Sequence, residues 1–106
     1  MATMRTIRKF SEKLVREFRP EKVVLFGSHA HGTATADSDV DLLIILPFKG
    51  KPVAKSVEIR MKLRPSFPVD LIVRTPESVR ERLEMEDTFM RAILEEGKVL
   101  YEAHDG

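Results

Sequence analysis

Two aspartates flanking a single valine, Asp39-Val40-Asp41, open the apolar run Leu42–Phe48, and a third, Asp70, interrupts the apolar stretch Phe67–Val73. On a strand, residues two apart share a face and lie roughly 6–7 Å apart. Like charges so placed repel, and each raises the other's pKa unless a cation sits between them. Oxygen-only ligands suit a hard cation such as Mg²⁺. Taken alone, a D-x-D is weak evidence, since such pairs are more often turn or strand-start aspartates than metal ligands. An ionised Asp70 stranded among apolar residues is costly, so it must be paired, protonated or on a metal. A strand-end aspartate bonded to neighbouring backbone meets the same demand. If the strand bearing Asp70 lies beside the one bearing Asp39 and Asp41, the three can hold two cations about 3.5–4 Å apart. That spacing serves in-line phosphoryl displacement.

Upstream, Gly27-Ser28-His29-Ala30-His31-Gly32 closes another apolar run. It is not a Walker A loop, because Gly32 is followed by Thr33 rather than lysine. Its glycines let backbone approach a ligand closely, and Ser28 offers a hydroxyl and an N–H at a possible helix start. That suits a triphosphate tail whose cation rests on the aspartates; a glycine-rich turn without a ligand is the plainer alternative. His29 and His31 raise a rival, an H-x-H plus D-x-D transition-metal hydrolase site, although histidines two apart in a loop are more often solvent-exposed. His104 sits in a tail and is assigned no role.

The elements that must position these groups follow from periodicity. Ile7, Phe10, Leu14 and Phe18 recur at helical steps among charged residues, predicting an amphipathic helix that ends before Pro20. Lys22–Gly27 reads as a buried strand closed by glycine, and Ser28–Thr35 as a loop or single helical turn. Asp39–Pro47 reads as a second strand. Lys51–Arg64 follows as a helix with Val53, Val57 and Met61, and Ile59 or Leu63, at helical spacing. Phe67–Thr75 is a third strand, with Pro68 tolerated near its start. Pro76 stands where a helix opens, and one or two helices run to Glu96 with Leu83, Phe89, Ile93 and Leu94 as core positions. Gly97 caps them, and Lys98–Glu102 is a short last strand. The order is that of one α/β layer structure.

Composition narrows the class. At 106 residues the chain is one domain, long enough to bury a core. Its lack of cysteine excludes a disulfide framework and thiolate metal sites and fits a reducing cytoplasm. The charged N-terminus lacks the apolar centre of a signal peptide, and the run Leu42–Phe48 is too short to cross a bilayer. The expectation is a soluble cytoplasmic protein. A net charge of +1 argues against a nucleic-acid coat. Charge is nonetheless segregated: Lys49, Lys51, Lys55, Arg60, Lys62 and Arg64 cluster in one segment, and acidic residues dominate Glu77–Glu96. Two solvated helix faces account for this, as does a basic element near an anionic substrate with an acidic one near a partner.

In combination these parts are more specific than singly. A strand, Gly27-Ser28, Gly32, a short polar loop, Ser38-Asp39-Val40-Asp41-Leu42, then Asp70 in an apolar strand: the pattern resembles the nucleotidyltransferase superfamily of DNA polymerase beta. More narrowly it resembles the minimal nucleotidyltransferases of bacteria and archaea, over nearly the whole chain, residues 1–106, as one domain. The resemblance implies an α/β (α+β) nucleotidyltransferase fold, a small mixed sheet of three to four strands with helices packed on it. It assigns Gly27 and Ser28 to the nucleotide phosphates. Asp39 and Asp41 become shared ligands of two Mg²⁺ ions, and Asp70 binds one metal and helps deprotonate the acceptor. One departure stands out: members of the family often carry arginine between the serine and second glycine, where this chain has His29 and His31.

The activity so implied is transfer of a nucleoside monophosphate, AMP from ATP, to an acceptor hydroxyl. Minimal nucleotidyltransferases resemble the antitoxin half of a pair with HEPN-domain toxins, so the implied acceptor is a HEPN partner protein. Homo- or hetero-oligomers fit such a role, and membrane or direct nucleic-acid binding is not expected. The alternatives are an antitoxin that neutralises its partner by binding alone, and a small-molecule transferase of the aminoglycoside type.

Overall fold

A computed structural model describes residues 2–104. Its elements run α1 (Met4–Phe18), β1 (Lys22–Phe26), α2 (Ser28–His31), β2 (Val40–Ile45), α3 (Pro52–Leu63), β3 (Val69–Arg74), α4 (Pro76–Glu84), α5 (Thr88–Glu96) and β4 (Lys98–Glu102). The expected order holds throughout, and within the Ser28–Thr35 segment Ser28–His31 forms a single helical turn followed by a loop. The four strands form one mixed sheet in the order β3-β2-β1-β4. β1 runs antiparallel to both β2 and β4, whereas β2 and β3 are parallel. A parallel pair cannot be joined by a tight turn, and α3 supplies the crossover.

Strand alternation sends side chains to two covered faces. Val23 and Leu25 of β1, Val40, Leu42 and Ile44 of β2, and Val69, Leu71 and Val73 of β3 pack with Ile7, Phe10 and Leu14 of α1 and with Ile59 and Leu63 of α3. The opposite face carries Val24, Leu43 and Ile45, which meet Val79 of α4 and Met90 and Ile93 of α5. The sheet is therefore the middle of three layers. At its β1–β4 side Lys22 and Glu102 stand opposite each other and form a 3.1 Å ion pair.

Two expectations about burial need correction. Val53, Val57 and Met61 do not face the core: they are 73%, 51% and 67% exposed, while Ile59 and Leu63 are buried. The two sets lie about 140° apart round the helix at 100° per residue, and α3 can turn only one of them to the sheet. Phe89 is likewise 57% exposed, because α5 seats Met90 and Ile93 inward instead. Among the described residues no helix is long and apolar enough to cross a membrane.

Candidate active site

The C-terminal end of β1 and the N-terminal ends of β2 and β3 meet at one end of the sheet. There the strand register aligns three residues in a row: Phe26 opposes Asp41, and Asp41 opposes Asp70. By alternation all three project from the face that α4 and α5 cover farther along. At this end the helices leave the row partly open, so Asp41 is half-buried and Asp70 exposed. Asp39 lies one residue ahead of β2 and is exposed, and pairing begins immediately after it, where the Val40 N–H donates to the Pro68 carbonyl at 3.0 Å.

Asp41 is the electrostatic centre of the group. Burial pushes its carboxyl above the ordinary carboxylate value, the charges of Asp70 and then Asp39 push it further, and His29 pulls it back. Three acidic groups thus share one field, the third brought in by the parallel pairing of β3 with β2.

The turn after β1 is built against this centre. Gly27 caps α2 at φ 76°, ψ −157°, a backbone region that is essentially glycine's alone. A β-carbon there would strike Oδ2 of Asp41. Ser28 begins α2, and the Gly27 carbonyl already accepts the Ala30 N–H at 3.0 Å and the His31 N–H at 3.3 Å. The N–H groups of Gly27 and Ser28 precede these bonds, and the Gly27 α-carbon lies against the Asp41 carboxylate. Across the following loop, His29 Nε2 lies 3.3 Å from the Ser38 carbonyl oxygen, tying α2 to the residue before Asp39. Thr35 N–H donates to Ser38 Oγ at 2.9 Å and closes that loop from the other side.

The two histidines therefore part company. His29 braces the loop that presents the aspartates, while His31 lies on the far side of α2 beside Phe26 and Phe89. No transition-metal cage joins them to the carboxylates: among the described residues no three of His, Asp and Glu stand together as a ready-made metal site. The donors nevertheless fit a hard divalent cation in kind. All are oxygens, and the mutual repulsion centred on Asp41 is what a cation relieves. Sequence reasoning missed the brace at His29 and the place of Phe26 in the row. The first depends on how the loop before β2 folds back on α2, and the second on cross-strand register, although Phe26 stands immediately before the glycine already singled out.

Comparison with known proteins follows the same outline. A family model described as "Nucleotidyltransferase domain" matches residues 7–101. A protein of Methanocaldococcus jannaschii, provisionally described as a protein adenylyltransferase, is 32% identical over 100 residues, covering 85% of this chain and 97% of its own length. The fold resembles the crystal structure of a provisionally described nucleotidyltransferase from Sulfolobus solfataricus, with TM-score 0.64 and 20% identity over 96% of this chain and 82% of that one. It also resembles a toxin–antitoxin structure with AMP-PNP, with TM-score 0.64 and 24% identity over 92% of this chain and 74% of that one. A mutant of the MntA-HpeT toxin–antitoxin complex matches at TM-score 0.60 and 22% identity, over the same shares.

Proposed function

The chain belongs to the nucleotidyltransferase domain family, and on that premise we propose that it transfers AMP from ATP to a hydroxyl of a HEPN-domain partner protein in the cytoplasm. It thereby acts as the antitoxin of a pair, with residues 1–106 as one catalytic domain. The observation that carries this reading is the register pair Asp41–Asp70 beside the Gly27–Ser28 turn. With the phosphates assigned to that turn and acceptor activation to Asp70, both tasks fall at one end of the sheet, which supports the reading. The name of the M. jannaschii relative supports a protein acceptor, and the two toxin–antitoxin structures support a partner of that class.

In this reading Asp39 and Asp41 would hold two Mg²⁺ ions, and Asp70 would hold one of them. When bound, such ions neutralise the phosphate charge and lower the pKa of the acceptor hydroxyl. Backbone N–H groups at Gly27 and Ser28 receive phosphate oxygens, which glycine permits by leaving no side chain between ligand and backbone. Asp70 orients the acceptor hydroxyl and takes its proton. The hydroxyl oxygen bonds to the α-phosphorus as the bond from that phosphorus to the leaving oxygen breaks, and pyrophosphate departs with the electron pair.

Neutralisation by complex formation alone is favoured by one observation. The exposed stripe Val53, Val57 and Met61 runs along α3 on the side away from Lys55 and Lys62, whose ammonium groups lie over the Phe18 ring of α1, and it offers an apolar surface to a partner. Incubating the protein with α-labelled ATP, Mg²⁺ and the product of its neighbouring gene separates the two. Label on the partner is the expected result; a tight complex that never acquires label makes binding alone the function.

A further inference from the structure

Beyond the carboxylate row, the sheet face continues into a cleft of about 220 Å³ between the end of β1, the end of α2 and the length of α5. Gly27, Phe26, His31, Phe89, Ala92 and Glu96 line it. We propose that this cleft seats the nucleobase of the nucleoside triphosphate, and that it selects an amino-bearing base, adenine. The inference rests on the phosphate-site reading above and names the subsite that completes it.

Continuity with that site is the first argument. Gly27 borders both the cleft and the Asp41 carboxylate, and Phe26 is the next residue after Asp41 in the row across the sheet. Adjacent strands lie about 5 Å apart, and the Phe26 and Phe89 ring centres are 5.9 Å apart. A ribose joining phosphates at Gly27 to a base against Phe89 has that short distance to cover.

The chemistry of the walls is the second. Phe26 and Phe89 pack with their ring planes at 87°, which steadies Phe89 while leaving it 57% exposed. A partly uncovered aromatic face beside an apolar cleft is a stacking platform for a planar base. Phe89, Ala92 and Glu96 fall at i, i+3 and i+7 of α5 and so share one side of the helix. The small Ala92 leaves room between ring and carboxylate. Glu96 accepts hydrogen bonds only, which suits the exocyclic amine of adenine and offers nothing to the oxygen at the same edge of uracil.

The third is rigidity. At Gly97, where α5 ends, an added β-carbon would meet the Ile93 carbonyl, stand 2.6 Å from Val24 Cγ1 and 2.9 Å from the Leu25 carbonyl. Helix and strand touch backbone to backbone there, which fixes the distance between the walls of the cleft.

Equilibrium binding of ATP, UTP and inorganic tripolyphosphate, each with Mg²⁺, tests the assignment. Phe89→Ala and the cleft-filling Ala92→Leu should each weaken ATP binding roughly tenfold or more while leaving tripolyphosphate within twofold of wild type. Glu96→Gln should narrow the preference for ATP over UTP. Asp41→Asn, by contrast, should weaken ATP and tripolyphosphate together. Wild-type affinity for ATP in both Phe89→Ala and Ala92→Leu places the base elsewhere and overturns the inference while the phosphate site stands. Parallel loss of ATP and tripolyphosphate in both variants, each with wild-type thermal stability, overturns it as well. A wild-type protein that binds neither ligand overturns the phosphate site and the inference together.

Discussion

Gly27 and Asp41 approach so closely that the space a side chain at position 27 would need is already filled by the Asp41 carboxylate. A β-carbon there would touch Oδ2 and stand 3.3 Å from Cγ. Gly27→Ala should therefore cost about 1–3 kcal/mol in stability from backbone strain alone, measured by denaturant unfolding. It should also cut nucleotide transfer by about 100-fold through displacement of Asp41. In the background of Asp41→Ala the stability penalty should shrink to the backbone part, since the colliding carboxylate is gone.

Asp41→Asn should abolish transfer and, without metal, raise the melting temperature at neutral pH. Because burial and its acidic neighbours lift the folded-state pKa of Asp41, the folded protein holds its proton more tightly than the unfolded chain does. Stability from this group is thus present at low pH and falls as pH rises through the window from the unfolded to the raised folded value. The variant should lose that fall, which melting curves across the acidic range will reveal. A wild-type and Asp41→Asn pair with superimposable pH profiles would contradict the assignment.

Adding Mg²⁺ should raise the melting temperature of the wild-type protein, and EDTA should reverse the rise. Asp41→Asn and Asp70→Asn should respond little, because each lacks a carboxylate from the group. An equal rise in all three proteins would mean that the ion binds elsewhere.

Asp87 caps α5 by accepting the Met90 N–H at 3.0 Å, and it pairs with Arg82 at 3.2 Å. The Met90 N–H is the main cause of a carboxyl pKa below the ordinary value, with Arg82 assisting against the opposing effect of desolvation. Here the linkage has the opposite sign: the stabilisation is present above the unfolded pKa and lost as pH falls through the lowered folded value. Asp87→Ala should be less stable than wild type at neutral pH, and the gap should close in acid.

On α3, Ile59→Ala should cost about 2–5 kcal/mol, whereas Val57→Ser should stay within about 0.5 kcal/mol of wild type. Chemical denaturation of the two variants checks which side of the helix meets the sheet. Both sides carry apolar residues at helical spacing, so periodicity alone could not choose between them.

That ambiguity shows where sequence reasoning ended. Asp39, Asp41 and Asp70 were legible because charges beside apolar runs demand a physical reason, and Gly27 was legible because it closes a strand. The adjacency of Asp41 and Asp70 was conditional on β2 and β3 being neighbours, which the sheet order supplies. The position of Phe26 in the carboxylate row required the antiparallel register of β1 as well. Phe89 read as core because helix spacing puts it one turn from Ile93 on the same side; only the docking of α5 on the sheet shows that Ile93 is covered while Phe89, near the start of the helix, stays exposed beside the cleft.

The parallel pairing of β2 with β3 also has a bearing on synthesis. A chain still emerging from the ribosome carries Asp39 and Asp41 well before Asp70, and the third carboxylate joins them only after α3 has crossed over and β3 has docked. Contacts that close so large a loop form late, since loop entropy must be overcome before they contribute. On the assignment made above, an unfinished or partly unfolded chain is catalytically silent, and topology couples completion of the fold to the onset of ATP consumption.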